Sequence, residues 1–260
     1  MKKLSVLMPS RLQARSPNRL FLEDAVSSIL KQSVLHRYDV QIHIGLDAGM
    51  ESPGCFAHEP KVKFCHSQGR SQACALNAAA AAIDGDFVAI LEDDDQWSPN
   101  FLEAGFLVLD HTDFVSSTQL EVEESGEIIG IVDYPTPSGW LMKRAVWDAV
   151  GGFNEAFQWH IDSEWLGRMS DKGFKRGHLI EATAPLDEVL IADIRPHLAY
   201  YLRYAGENAR LFRHTSPMPL VARVRHAGSG MDQIRKGGPI SIESTSEYTE
   251  MRKMFGKIPW

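Results

Sequence analysis

Residues Phe87–Pro99 read FVAILEDDDQWSP. A continuous apolar run, Phe87–Leu91, passes directly into four carboxylates, Glu92–Asp95. The run has the length of a strand buried on both faces. Four adjacent carboxylates repel one another. They need either full hydration or a hard cation that prefers oxygen ligands, such as Mg²⁺ or Mn²⁺. Continued strand geometry would point Glu92 and Asp94 one way and Asp93 and Asp95 the other, so about half the cluster should reach one ion. An acidic turn after a strand is the competing reading, and this stretch alone leaves both open.

Outward from this stretch, strand and helix alternate. Ser71–Ile83 is alanine-rich with high helix propensity, and Gly85 closes it. Leu4–Met8 reads as a buried strand cut off by Pro9, and Lys61–His66 as another strand. Val40–Leu46 alternates Val40, Ile42, Ile44 and Leu46 and ends at Asp47. Leu20–Lys31 sets Phe21, Leu22, Ala25, Val26, Ile29 and Leu30 at helical spacing, and Ser98-Pro99 opens a further helix to Leu109. The alternation predicts a largely parallel α/β sheet with right-handed crossovers. Ligands of such sheets bind beyond the carboxyl ends of the strands. Asp47 and Glu92–Asp95 both stand at such ends and should meet in space. Asp47 before Ala48-Gly49 also suits a plain turn.

After residue 110 the pattern changes. Phe114–Leu120 and Ile128–Val132 read as strands, Ala145–Val150 and Asp162–Lys172 as helices. Asp162 and Glu164 lie at a helix start beside Trp159 and Trp165. A carboxylate among aromatic rings gains a raised pKa and can act as a base, whereas helix capping is the structural alternative for Asp162. Arg223, Arg225 and His226 precede Gly228, Gly230, Gly237 and Gly238, which reads as a mobile basic loop suited to a phosphate or metal–phosphate.

Composition bounds the function. With 260 residues, 44% hydrophobic and 23% charged, the chain can bury one sizeable core and is not disordered. A net charge of −7 argues against a nucleic-acid-coating protein. Residues 195–236 nevertheless hold eight Arg and Lys against Glu207 and Asp232, a local charge excess that suits a small anion or, equally, a solvated surface. No apolar run approaches the ~18–20 residues of a membrane span, and Leu4–Met8 is too short for a signal peptide, so a cytoplasmic protein is expected. Cys55, Cys65 and Cys74 lack metal or disulfide spacing. His36, His43, His58 and His111 read as structural or solvent-facing. HExxH, GxSxG, P-loop and GxGxxG motifs are all missing, against zinc proteases, serine hydrolases, P-loop enzymes and common dinucleotide dehydrogenases.

The order of these pieces resembles glycosyltransferase family 2, inverting enzymes of GT-A fold. SVLMPSRLQ (Ser5–Gln13) resembles the family's opening strand, and LEDAVSSILKQS (Leu22–Ser33) its first helix. IGLDAG (Ile44–Gly49) stands where the family has a strand running into D-D-G-S. GRSQACALNAAAAAIDGDFVAILEDDDQWSP (Gly69–Pro99) resembles its A-R-N helix and D-x-D-D segment. PSGWLMKRAVWDAVGGFNE (Pro137–Glu155), DSEWLGRM (Asp162–Met169) and RVRHAGSG (Arg223–Gly230) resemble the acceptor-side, base-bearing and late basic segments.

The resemblance implies a single Rossmann-like GT-A domain over 1–260, with a nucleotide-sugar half (about 1–110), an acceptor half (about 111–194) and a basic tail (about 195–260). It implies that Pro9, Ser10, Arg11, Asp47, Arg70, Asn77, Glu92, Asp93, Gly139, Trp140, Arg223 and Arg225 bind the nucleotide sugar. Asp94, with Glu92 and His226, would hold Mn²⁺ or Mg²⁺. Asp162 would be the catalytic base, although Ile161 replaces the Glu that often precedes it, and this leaves Glu164 open for that role. Leu76 replaces the Arg of A-R-N, so that contact must come from elsewhere, Arg70 or the tail arginines. Glu92 replaces the first Asp of the metal motif. The implied partners are a nucleotide-diphosphate sugar, UDP-linked by the family's habit, and a glycan, lipid-linked or protein acceptor of the kind met in polysaccharide biosynthesis. No nucleic acid or transmembrane segment is implied, and a homodimer is the candidate assembly. Two other readings stand beside this one: a degenerate protein that only binds a nucleotide or glycan, and a sugar nucleotidyltransferase, whose G-G-x-G-T-R opening is missing.

Overall fold

The computed structural model describes residues 1–181 and 195–259; the end of the acceptor-side half, 182–194, lies outside the described residues. The chain runs β1 (Lys2–Ser10), β2 (Ala14–Ser16), β3 (Arg19–Leu20), α1 (Phe21–Leu30), β4 (Tyr38–Leu46), β5 (Val62–His66), α2 (Gln72–Ala80), β6 (Phe87–Ile90), β7 (Gln96–Trp97) and α3 (Phe101–Leu109). It continues with β8 (Phe114–Ser117), β9 (Gln119–Glu123), β10 (Ile128–Val132), β11 (Trp140–Lys143), α4 (Arg144–Val150), α5 (Ile161–Asp171) and β12 (Arg176–Glu181). Beyond the undescribed stretch come a helix at Pro196–Tyr204, β13 (Ala209–His214), β14 (Val221–Arg225), a short helix at Gly230–Arg235 and a C-terminal helix at Pro239–Phe255.

Eight strands form the central sheet in the order β13-β12-β8-β11-β6-β1-β4-β5. Its pairs are parallel except at β11, which lies antiparallel to β6 and β8. A second sheet, β10-β9-β14-β7, stands beside the acidic segment.

Period-two alternation divides the core into two layers across the main sheet. Leu4, Val6 and Met8 of β1 pack with Leu22, Val26 and Ile29 of α1 and Phe101 and Leu102 of α3. Leu7 of β1, with Val88 and Ile90 of β6, faces the other way, onto Leu76 of α2, Val146 of α4 and Trp165 and Leu166 of α5. Helices therefore cover both faces, as a buried parallel sheet requires. At Gly45 a Cβ would run into the Ala75 carbonyl, so α2 can lie directly on β4 only because this position has no side chain.

Three local expectations are corrected. The helix after Pro99 begins at Phe101 with Asn100 as its N-cap, because Pro99 lies in a turn closed by Phe101 N–H donating to the Ser98 carbonyl at 3.0 Å. The alanine-rich helix stops at Ala80 rather than Ile83. There the chain turns so that Gly85 can pass against Ser5, whose Oγ accepts the Gly85 N–H at 3.2 Å. The basic segment is no loop over Arg223–Arg225: β14 is held parallel to β9 and antiparallel to β7, and only the residues after it turn.

Candidate active site

A cleft of about 570 Å³ opens at the carboxyl ends of β1, β4 and β6. Pro9, Ser10 and Arg11 reach it from β1, Asp47 from β4, Arg70 and Gln72 from the entry to α2, and Asp162 from the start of α5. The Glu92–Asp95 segment forms its floor beside Arg223 and Arg225 of β14. Asp47 and the acidic run thus meet as their places at strand ends predict. Asp47 is only 7% exposed. Burial raises its pKa, against the pull of Arg11 and Arg70. A smaller cleft of about 380 Å³, lined by Lys2, Tyr38, Phe87 and Phe106, contains none of the predicted site residues.

The acidic run does not continue β6. The strand ends at Ile90, and Asp95 N–H donates back to the Glu92 carbonyl at 3.2 Å. This turn overturns the expected even–odd split. Glu92, Asp94 and Asp95 each bring a carboxylate oxygen within 4.8 Å of the others, while Asp93 turns away to accept the Ser10 hydroxyl. Asp95 is held on both oxygens, by Ser138 Oγ at 2.6 Å and Val224 N–H at 3.0 Å. Glu92 accepts the side-chain amide of Gln72. Burial, then the charge of Asp94, raises the pKa of Glu92 and of Asp93, and raises that of Asp95 well above the ordinary carboxylate range. Arg223 answers this charge. Burial works against its ionisation, but Asp95, Glu92, Asp94 and Glu121 around it hold its pKa above the usual value.

His226 is buried and stacks on Phe21 at 4.6 Å between ring centroids. Its Nδ1 accepts the Gly228 N–H at 3.2 Å and lies 3.1 Å from Gln13 Nε2. A backbone N–H only donates, so the proton of the neutral ring sits on Nε2 and points at Asp94 Oδ2, 2.8 Å away. Of the resemblance's metal residues, Asp94 thus meets His226 on one side and Glu92 on the other, while His226 is outside the close carboxylate group. The carboxylate group includes Asp95, which the resemblance did not place there.

Asp162 and Glu164 part company on α5. Asp162 lines the cleft, and its Oδ1 accepts the Ser163 N–H at 2.7 Å. Burial pushes its pKa up to about 6, while the Ser163 N–H and Arg223 pull it down and Glu247 adds to the rise. Glu164 is 1% exposed and forms a two-point pair with Arg168, at 2.8 and 2.9 Å. Arg168 also donates to the Val150 and Gly152 carbonyls, so this pair clamps the Gly151-Gly152 corner rather than facing the cleft.

Other expected residues lie elsewhere. Asn77 bonds the backbone N–H and carbonyl of Phe153, at 2.8 and 2.9 Å, on the far side of α2. Trp140 is fully buried, donates to the Pro135 carbonyl at 2.8 Å and sits 5.1 Å from the Trp165 ring. Gly139 is buried against Ser117, where a Cβ would lie 2.6 Å from the hydroxyl. Leu76 is in the core with no exposure; on the same helix Gln72, one turn earlier, faces the cleft instead. Gln72, Ser138, Tyr134 and Tyr248 also surround the acidic groups, although none of them is among the site residues expected from the sequence. Among the described residues no helix is long and apolar enough to cross a membrane.

Residues 5–128 match the family model described as Glycosyl transferase family 2. No curated protein matches the chain in sequence. Among solved structures, S. aureus TarS 1–349 in complex with UDP-GlcNAc aligns over 98% of this chain and 73% of its own, with 12% identity and a TM-score of 0.56. The same protein in complex with UDP aligns over 97% and 72%, with 11% identity and a TM-score of 0.56. A further TarS 1–349 structure aligns over 64% of this chain at 14% identity and a TM-score of 0.48; the chain spans about half of it, 55%. At such identities the likeness is one of fold. The sheet order and the two helical layers agree with that likeness: the chain has a GT-A fold, and its residues 5–128 match the model of glycosyl transferase family 2.

Proposed function

We propose that the protein is a metal-dependent inverting glycosyltransferase that moves a sugar from a nucleotide-diphosphate donor, UDP-linked, to an acceptor hydroxyl. One observation carries this reading: Asp47, Asp94 and Asp162, distant in sequence, border one cleft inside a family 2 domain. The carboxylate oxygens of Glu92, Asp94 and Asp95 are a hard donor set suited to Mn²⁺ or Mg²⁺. Asp94, whose Oδ2 meets His226 Nε2 at 2.8 Å, is the ligand we assign first, with Glu92 and His226 beside it. When bound, a divalent ion there neutralises charge developing on a leaving diphosphate.

The protein's own groups carry the rest. Asp47, with Arg11, Arg70 and Pro9, binds base and ribose, and Asp93, oriented by Ser10, faces the same pocket. Arg223 and Arg225 place fixed positive charge where the diphosphate lies. Asp162, with a pKa of about 6, is ionised at neutral pH yet basic enough to take the acceptor proton as the hydroxyl attacks the anomeric carbon. In TarS the ligands named are UDP and UDP-GlcNAc, which supports a uridine donor here.

Titrating UDP into the protein with and without Mn²⁺ tests the donor site, and hydrolysis of UDP-sugars tests the chemistry. Metal-dependent binding lost in Asp94→Ala supports the proposal. Apolar Leu76 and Ile161, both buried where the family carries Arg and Glu, favour a second reading as a non-catalytic nucleotide or glycan binder. UDP binding without hydrolysis or transfer for any donor would select it.

A further inference from the structure

The C-terminal helix, Pro239–Phe255, contributes more than cover for the core. Three successive backbone N–H groups on the approach to α5 donate to one carboxylate on this helix. Gln158 N–H reaches Glu247 Oε1 at 2.6 Å, and Trp159 and His160 N–H reach Oε2 at 3.0 and 2.9 Å. The approach has no local substitute, because His160 caps α5 without a side-chain hydrogen bond. Backbone donors left unpaired beside a helix start are costly, and a carboxylate there is favoured by the helix dipole. The neighbouring contacts follow the same line. His160 Nε2 lies 2.8 Å from Ser244 Oγ, and its ring sits 3.9 Å from that of Tyr248. Trp159 Nε1 donates to Glu243 at 3.3 Å. Further along, Phe255 packs onto Gly167 of α5, where a Cβ would meet its ring at 2.6 Å.

We propose that Glu247 is the positioning residue for Asp162. By gathering the N–H groups of Gln158–His160 it fixes the first turn of α5, and with it the direction in which the Asp162 carboxylate faces the cleft. This rests on Asp162 acting as the base in the function proposed above. Glu247 touches neither donor nor acceptor; it acts on Asp162 through the backbone, and its charge adds to the rise of the Asp162 pKa.

The test uses the full chain with Glu247→Ala, Glu247→Gln and, as control, Glu250→Ala, whose exposed carboxylate pairs with exposed Lys253. Two readouts are taken: hydrogen–deuterium exchange over residues 158–165, and kcat and KM for UDP-sugar hydrolysis. Glu247→Ala should speed exchange there without affecting β1 or β6. It should lower kcat about 10- to 100-fold, the scale of a misplacement near 1 Å, with KM and UDP affinity within about threefold. Glu247→Gln, which keeps one acceptor oxygen, should lose less, and Glu250→Ala nothing. Unchanged exchange overturns the latch whatever the activity. Faster exchange with unchanged kcat, or kcat falling only with the folded fraction, overturns the positioning role. A wild-type protein that binds UDP but hydrolyses no donor overturns the transferase reading itself, and the role for Asp162 with it.

Discussion

His226 Nε2 stands 2.8 Å from Asp94 Oδ2, and the Gly228 N–H pins the ring in the tautomer that carries its proton on that nitrogen. For Nε2 to coordinate a metal, that proton must leave or move to Nδ1, where Gly228 N–H and Gln13 now lie. Metal uptake and the geometry of the turn after β14 are therefore linked. His226→Ala should weaken Mn²⁺-dependent UDP binding by about 10- to 100-fold, the usual loss for a ligand or its orienting partner. Calorimetry decides it. Equal or tighter binding in the variant would mean that His226 merely occupies Asp94 and is no ligand.

Asp162 has a pKa of about 6, raised first by burial. A base must be ionised, so kcat should fall about tenfold per pH unit below pH 6 and level off above it. Asp162→Asn should abolish turnover while leaving UDP affinity intact. Its stability has the opposite sign. The folded-state pKa lies above the ordinary value of 3.8, so ionisation costs folding energy at neutral pH, and the cost fades as pH falls through 6 towards 4. The Asn variant should therefore be the more stable at pH 7, by up to about 3 kcal/mol, and no more stable near pH 4. Denaturant unfolding at the two pH values checks this. An equal gap at both would show that charge burial is not its origin.

The first hundred residues were legible because a buried parallel sheet writes itself as short apolar runs, and its ligand end follows from the topology. Val40–Leu46 into Asp47 and Phe87–Leu91 into Glu92 both gave a strand and a site residue at once. The turn at Glu92–Asp95 was not legible, since period-two geometry lapses where β6 ends and a main-chain bond to Glu92 takes over. Gln72 and Ser138 belong to the site through folding alone, and Asp95 joins Glu92 and Asp94 through that turn. Trp140 and Asn77 failed in the other direction: each sits in a segment that resembles the family, yet packing turns both side chains away from the cleft. On α5, Arg168, 26% exposed, pairs with Glu164 and not with Asp162, so of the two carboxylates it is Asp162 that lines the cleft.

Trp140 offers a sharp check on that correction. Its ring is buried among Phe114, Phe153 and Trp165, and its Nε1–H is satisfied by the Pro135 carbonyl. Trp140→Ala should cost about 3–5 kcal/mol of stability, as large-to-small changes in cores do. The folded fraction should bind UDP with unchanged affinity. A sugar-binding role would instead show as weaker UDP-sugar binding with modest destabilisation, and equilibrium unfolding beside calorimetry separates the two.

Arg223 raises a question of competition. It is the cation that offsets Glu92, Asp94 and Asp95 before any metal arrives, and it projects from β14 into the space a diphosphate would take. Under the proposed function, that one positive charge would both repel a divalent ion and attract a nucleotide. Arg223→Ala should bind Mn²⁺ alone about tenfold more tightly, a coupling of ~1.4 kcal/mol, because the carboxylates lose their internal counter-ion. The same variant should bind UDP about tenfold more weakly in saturating Mn²⁺, because a contact to the phosphates is gone. The two effects have opposite signs, so a general loosening of the cleft cannot imitate them. Mn²⁺ affinity that is unchanged or lower in the variant would remove Arg223 from the metal's electrostatic environment and leave it a structural partner of Asp95.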